Sequence, residues 1–255
     1  MIIRAKKSLG QNFLIDPEVI NQIIQYVRPD TKDKFLEIGP GKGAITEKLL
    51  ERANTTHAVE IDGDLLKKLS ETKTKDNFHL HNKNILNFDP SEISTHGIRV
   101  VGNLPYNIST PIMFWTFKYL DLFSDIHFMF QREFGDRLVA ENNSINFGRI
   151  SVITQYLTKP KYCFLIDPES FSPRPKVQSS FIRFDPIRER NLNDPIATKL
   201  QEVTGIAFMH KRKMVGKSLE KILSNKDLID LNIDKRSRPE NISVEDYIKI
   251  AETLL

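Results

Sequence analysis

Two short stretches of the chain carry side chains suited to chemistry. Asn103-Leu104-Pro105-Tyr106 brings a primary amide, a proline and a phenol together within four residues. Pro105 removes one backbone donor and stiffens the turn, and Tyr106 offers a flat face on which a base can stack. An adenine amine is a poor nucleophile because its lone pair is delocalised into the ring. An Asn side-chain oxygen and a nearby backbone carbonyl can accept its two N–H bonds and favour a pyramidal nitrogen whose lone pair points at a methyl donor. No strong base is needed, because that nitrogen becomes acidic only as the methyl group arrives. Taken alone, the four residues read equally well as an Asn capping a strand end beside a core tyrosine.

The second stretch is Glu37-Ile38-Gly39-Pro40-Gly41-Lys42-Gly43-Ala44. Glycines at a strand-to-helix turn let the backbone approach a ligand closely and leave helix N-terminal amides free to donate. A Walker phosphate loop is excluded, because Gly43 follows Lys42 where Ser or Thr is required and Leu36 stands at the first glycine position. A dinucleotide site survives on pattern, since Gly39-x-Gly41-x-x-Ala44 fits the loose fingerprint. Glu60, farther along, is placed to bind ribose hydroxyls, which S-adenosylmethionine and nicotinamide cofactors share. The turn leaves both ligands open. A hydride-transfer enzyme has no use for Asn103 and Tyr106, so the two stretches together favour S-adenosylmethionine, and the strand-cap reading of Asn103 recedes.

The elements that must position these residues alternate from Lys34 onward. Phe35–Ile38, Thr56–Ile61, Phe78–His81, Ile98–Val101 and Ile126–Phe130 read as strands, and Ala44–Leu50 and Leu65–Leu69 as helices. Alternation of this kind predicts a mainly parallel sheet covered by helices, an α/β class with Rossmann-like winding. Cys163–Ile166 and Ser180–Phe184 are two further β-like runs, one of them antiparallel, separated by the loop Ser172-Pro173-Arg174-Pro175. From Ile196 to Leu255 the signals are helical, with Ser243-x-x-Asp246 as an N-terminal cap. The boundary is placed near 185–194, giving a catalytic domain of residues 1–185 and a small helical domain of residues 186–255.

Composition narrows the class without naming it. The 255 residues carry 37 Lys and Arg against 33 Asp and Glu, a net charge of +4, and are 40% hydrophobic. Lys211, Arg212, Lys213, Lys217 and Lys221 lie together with Glu220 as the one acid from 209 to 221. Such a run is usually a solvated face, but beside an RNA-directed site it becomes a phosphate-contacting one. Arg4, Lys6 and Lys7 raise the same question. Cys163 is the sole cysteine, so an internal disulfide and a Cys-x-x-Cys zinc site are excluded. It sits in an apolar run and is expected in the core. His79 and His81 share one face of a strand with no third ligand in view, which predicts strand polarity and no metal site. The N-terminus lacks a signal-like apolar run and no stretch could span a bilayer, so a cytoplasmic setting is expected.

With these residues in hand, the chain resembles the ribosomal RNA adenine N6-dimethyltransferases over nearly its whole length. Gly10-Gln11-Asn12-Phe13-Leu14 is similar to the opening motif of that family, Gly39 to Thr46 to its glycine loop, and Glu60-x-Asp62 to its ribose-binding acid. Asn103 to Pro111 is the most specific match. Gln131-Arg132-Glu133, Phe147-Gly148-Arg149-Ile150-Ser151-Val152, Phe171-Ser172-Pro173-Arg174-Pro175-Lys176-Val177 and Asn241-Ile242-Ser243 also fit. The resemblance implies a class I S-adenosylmethionine-dependent methyltransferase fold. It implies S-adenosylmethionine contacts from Gln11, Asn12, Leu14, Gly39, Gly41, Glu60, Ile61, Asn84, Ile85 and Asn103. It assigns catalysis to Asn103, Leu104, Pro105 and Tyr106, with Phe171 sandwiching the target adenine, while the charge cluster places RNA binding at Lys211, Arg212, Lys213 and Lys217. Asn84 departs from the family, which usually carries Asp there to accept from the adenine amine of the cofactor.

Two branches share these motifs. One dimethylates two adjacent adenines in the 3′-terminal hairpin loop of small-subunit rRNA, and the other modifies one adenine of large-subunit rRNA and confers antibiotic resistance. Phe147 to Val152 and Phe208-Met209-His210-Lys211-Arg212-Lys213 favour the first. The partner then implied is small-subunit rRNA in an assembling ribosomal subunit, bound by a monomer. A non-catalytic assembly factor on the same fold is the rival from another class.

Overall fold

Parallel strands covered on both faces have no wet side, so they read as continuous apolar runs. The computed structural model, which describes residues 5–6, 9–72 and 76–255, builds the middle of its central sheet from such runs. The strands are β2 (Lys34–Ile38), β3 (Thr55–Glu60), β4 (Phe78–Asn82), β5 (Ile98–Asn103), β6 (Phe123–Gln131), β7 (Thr158–Ile166) and β9 (Ser179–Pro186), in the order β4-β3-β2-β5-β6-β9-β7. β4, β3, β2, β5 and β6 run parallel, and β9 lies antiparallel to β6. A two-stranded antiparallel piece joins β1 (Phe13–Leu14) to β8 (Phe171–Ser172).

Helices α2 (Ala44–Leu50), α3 (Gly63–Thr72) and α4 (Ser109–Lys118) follow β2, β3 and β5. A further helix, α1 (Pro17–Val27), precedes the sheet, where the sequence pattern had been read only from Lys34. Asp16 caps it by accepting from the N–H groups of Glu18 and Val19, Pro17 takes the first turn, and Arg28 closes it at φ 50°. Its buried face, Ile23, Ile24 and Val27, joins Leu14, Phe35, Ile45, Leu49, Met129 and Phe181 in one apolar cluster. Cys163 lies at the margin of that cluster, half-buried, and not in the core as expected.

Two compact units result. The first comprises residues 1–135 and 161–185, the second 136–160 and 186–255. The sequence reading assigns 136–160 to the catalytic domain, and the structure groups them with the C-terminal helices. The reason is α6 (Arg149–Leu157), which packs on α7 (Pro195–Met209) and α10 (Val244–Thr253). The Tyr156 hydroxyl donates to Asp194 at 2.9 Å, and Asp194 also caps α7 by accepting from Ala197 N at 2.7 Å. Linear reading misses this because the helix is inserted ahead of β7 and its partners arrive some 40 residues later. Among the described residues no helix is long and apolar enough to cross a membrane.

In the first unit, Arg99 on β5 donates to Asp125 through Nε (2.9 Å) and Nη2 (2.8 Å), to Asp33 (2.5 Å), and to the Val27 and Arg28 carbonyls at the end of α1. It fastens α1 to the sheet edge opposite the glycine turn. Arg99→Met leaves Asp125, 7% exposed at its side chain, without its main cation, and is expected to cost about 3 kcal/mol. Denaturant titration measures the loss, and unchanged stability would show that the network contributes nothing net.

Candidate active site

In-register parallel pairing aligns the carboxyl ends of the strands. Ile38 of β2 pairs with Gly102 of β5 and with Val59 of β3. The glycine turn, Glu60 and Asn103 therefore leave the sheet at one edge, around a cavity of about 290 Å³. Gln11, Asn12, Leu14, Gly39, Gly41, Glu60, Ile61, Asn84, Ile85, Asn103, Leu104, Pro105 and Tyr106 all line it. The structure thus brings together every expected residue of the cofactor and catalytic sets except Phe171.

The glycine turn is held open by backbone conformations that L side chains rarely adopt, with φ of 65°, 57° and 86° at Gly39, Gly41 and Gly43. A Cβ at Gly41 would meet the Phe13 ring at 3.0 Å and fill the space the turn leaves. Glu60, 6% exposed, accepts from Asp62 N at 2.9 Å. Burial raises its carboxyl above the usual range, against the pull of the Asp62, Ile61 and Gly41 N–H groups. Those donors hold the carboxylate still for a ligand's hydroxyls.

Glu37 was not among the expected site residues. It lies on the cavity floor, 2% exposed, and its Oε2 has no hydrogen-bond partner among the described residues. Burial pushes the carboxyl up to about 7, contacts with Thr46 pull it back part of the way, and the Glu60 charge adds to the rise. A buried carboxylate oxygen with no donor suits a cationic or N–H-bearing ligand. S-adenosylmethionine carries an ammonium as well as ribose hydroxyls, so the paired Glu37 and Glu60 fit it. The sequence signal was present in the acid two residues before Gly39, but nothing in one sequence says that it is buried.

The N-terminal segment closes over the turn. Lys6 Nζ donates to Asp62 (2.6 Å) and Asp64 (2.7 Å), and Gln11 Nε2 donates to Asp62 (2.9 Å). The Lys6 ammonium is held above its ordinary range by its hydrogen bonds to these two carboxylates. Lys6, weighed as an RNA contact, is committed to this strap, while Arg4 and Lys7 lie outside the described residues. β1 then continues the segment and is pinned by β8, with Leu14 opposite Phe171.

Asn103 Nδ2 donates to the Asn12 carbonyl at 2.8 Å. That bond fixes the amide plane, and no donor among the described residues engages its oxygen, so the acceptor stays available to a ligand amine. The Tyr106 hydroxyl hydrogen-bonds Ser179 Oγ at 2.7 Å, which ties its ring to β9. Burial pushes its phenol up, so it stays neutral. Leu104, 1% exposed, anchors the turn by donating from its backbone to Met129 O at 3.3 Å.

Phe171 corrects an expectation. Its ring is 3% exposed, belongs to the apolar cluster with Leu14 and Ile24, and does not line the cavity. In this arrangement it cannot stack on a base and instead backs β1. Asn84, where the resemblance leads one to expect Asp, accepts through Oδ1 from Leu86 N at 3.0 Å at the cavity rim. His57, unremarked in the sequence, stacks on His79 with centroids 4.5 Å apart and meets His81 at 3.1 Å. Among the described residues no set of three side chains converges as a metal site. In the second unit, Lys211 donates to Ile145 O at 3.2 Å and Lys217 pairs with Glu220 at 3.3 Å.

A family profile described as ribosomal RNA adenine dimethylase matches residues 2–255. The ribosomal RNA small subunit methyltransferase A of Dechloromonas aromatica is 43% identical over 250 residues, 98% of each chain. Its namesake from Saccharophagus degradans is 40% identical over 254 residues, 98% of this chain and 95% of the other. Among solved structures, a dimethyladenosine transferase from Plasmodium falciparum superposes with a TM-score of 0.79 at 22% identity, covering 93% of this chain and 95% of that one. A 23S rRNA methyltransferase, ErmE, gives 0.77 at 22% identity, covering 95% and 99%. These two establish the shared fold.

Two measurements probe the cavity. Glu37 has a folded-state pKa of about 7 against 4.5 for the free group, so the folded state holds the proton longer. Stability should fall as pH rises from 4.5 to 7 and be flat above. Glu37→Gln removes that fall, and the ligand-free variant should gain ~1–3 kcal/mol over the parent at pH 8 but little at pH 4.5. Equal melting behaviour at both values would show that Glu37 is not a buried acid. Asn84→Asp should leave S-adenosylmethionine affinity equal or slightly tighter, because a carboxylate accepts more strongly than an amide. A large loss by calorimetry would mean that the amide NH2 is the group used.

Proposed function

The chain belongs to the ribosomal RNA adenine dimethylase family, and from its geometry we propose how its residues divide the reaction. It is an S-adenosylmethionine-dependent methyltransferase that dimethylates adenine N6 in small-subunit rRNA. The proposed target is the pair of adjacent adenines in the 3′-terminal hairpin loop. Loop bases are already partly unstacked, so delivering one to a pocket costs less than in a duplex.

When bound, S-adenosylmethionine supplies an electrophilic methyl group at the sheet edge. The residues that would hold it are Gln11, Asn12, Gly39, Gly41, Glu60, Ile61, Asn84 and Ile85 at the cavity wall, with Glu37 beneath. Tyr106 provides the face on which the adenine rests, its ring fixed by Ser179. Asn103 accepts an N–H of the amine through its free oxygen while Asn12 holds its other end. As the nitrogen turns pyramidal, the N–H becomes more acidic and that hydrogen bond strengthens, so Asn103 stabilises the transition state more than the ground state. The proton leaves after the bond forms, when the nitrogen is cationic and needs no strong base. The single observation that carries this reading is the Asn103 amide, held through its NH2 by the Asn12 carbonyl at the cavity wall. We assign phosphate contacts to Lys211, Arg212 and Lys213 of the second unit, and a monomer acting on an assembling subunit is the working picture.

Single-turnover methylation of small-subunit rRNA at saturating S-adenosylmethionine tests the division. Asn103→Ala should slow transfer on the order of 10²-fold and leave RNA affinity nearly unchanged. Tyr106→Phe, which keeps the ring, should stay within about threefold of the parent, and Tyr106→Ala should be severely impaired. Near-normal transfer by Asn103→Ala would remove the central claim and favour a binding protein on this fold.

A further inference from the structure

The second unit exposes large apolar side chains where a water-facing surface would not need them. Ile145 is 87% exposed and Met209 73%, the two most exposed large hydrophobic residues among those described. They belong to different elements, the loop ahead of α6 and the end of α7, whose neighbouring residues meet. Beneath them Phe147 and Phe208, each two residues or fewer away, pack with centroids 6.3 Å apart. Above, Lys211 donates to the Ile145 carbonyl at 3.2 Å. The loop is itself braced at its base: Asn143 N donates to Glu240 O at 2.7 Å, and Asn241 Nδ2 donates to Asn143 Oδ1 at 2.9 Å.

The result is an apolar tip with a cationic rim. Lys211, Arg212 and Lys213 follow Met209 after one residue, His210; all three are exposed, and none has an ion pair among the described residues. Met214, 46% exposed, extends the apolar part past them. A protein partner of ordinary composition would cover the apolar tip but leave three adjacent cations needing carboxylates. Folded RNA satisfies both halves at once. Its phosphates meet the rim, and its base faces or shallow minor groove accept apolar side chains that wedge or stack.

We propose that Ile145 and Met209 form an apolar wedge that docks against the bases of the rRNA substrate, while Arg212 and Lys213 hold the flanking phosphates. The proposal rests on the reading of the enzyme as an rRNA methyltransferase and adds a non-electrostatic contact to it, remote in sequence from Asn103 and Tyr106. Its signature follows from the two kinds of contact. Removing a phosphate contact lowers the salt dependence of binding, by roughly 0.7 in the log–log slope for a single strand. Removing an apolar contact lowers affinity and leaves the slope alone.

The test uses the full-length protein and two probes, unmethylated small-subunit rRNA transcribed in vitro and the same RNA assembled with its ribosomal proteins. Ile145→Ala combined with Met209→Ala trims side chains that are largely exposed. It should weaken binding to both probes about tenfold, with an unchanged salt slope and unchanged S-adenosylmethionine affinity. Arg212→Ala with Lys213→Ala, which spares the Lys211 anchor, should flatten the slope. Ile145→Phe, which enlarges the wedge, should restore affinity in the Met209→Ala background. Undiminished affinity of the apolar double variant for both probes overturns the inference, as does a loss confined to the assembled particle, which would make the partner a ribosomal protein. If the Arg212 and Lys213 variant also keeps its slope, the assignment of this unit to RNA falls with it. If only the apolar variant is silent, that assignment stands and the wedge alone is refuted.

Discussion

The parallel register of β2 and β5 is the constraint on which the site depends. Ile38 sits opposite Gly102, so the glycine turn and Asn103 begin one step beyond the same rung. Gly102 is what allows the rung to close, since a Cβ there would lie 2.8 Å from the Ile38 carbonyl. A shift of one residue along either strand would turn alternate side chains to the opposite face and carry Asn103 away from the glycine turn. The continuous apolar character of both strands, buried on two faces, does not by itself forbid such a slip. The fixed βα connections and the charged anchor at the far edge do. Arg99 sits three residues before Gly102 and is bound to Asp33, just ahead of β2, so the register is pinned at the end away from the chemistry.

The carboxyl groups show what this geometry costs. Glu37 and Glu60 are both buried and near each other, and burial raises both above their ordinary range. Two buried carboxyls are destabilising in the ligand-free chain, and the ammonium and ribose hydroxyls of the proposed ligand would satisfy them. The backbone donors around Glu60 offset part of that cost in the ligand-free chain. Glu37 Oε2 has no hydrogen-bond partner among the described residues, so its burial is the less compensated of the two.

Much of the site was legible because its parts obey local rules. Glycines between a strand and a helix, an acid at the next strand end and an Asn-Leu-Pro-Tyr turn each follow from their own neighbours, and parallel pairing then brings them together. What could not be read was anything set by distant packing. Helix α1 carries a plain Asp-Pro-Glu start, but its worth depends on Arg99, some 70 residues on. Residues 136–160 precede a sheet strand and look like part of the first domain, while the partners of α6 lie past residue 194. Phe171 looks like a recognition aromatic by its motif, yet the ring is seated against Leu14 by the β1–β8 pairing. Lys6 reads as a free cation until Asp62 and Asp64 are brought to it.

The partner that holds the Asn103 amide is a main-chain oxygen. A side chain in that role could be lost by one nucleotide change, whereas every amino acid at position 12 supplies the same carbonyl. The orientation of Asn103 is therefore insulated from drift at position 12 and exposed instead to whatever moves the strand. That transfers the selective burden to β1 and its two rungs with β8, to the Lys6 and Gln11 strap, and to the apolar ring of Phe171 behind it. Substitutions there would be expected to appear in genetic screens as loss of methylation in a folded protein, at residues that do not themselves meet the base.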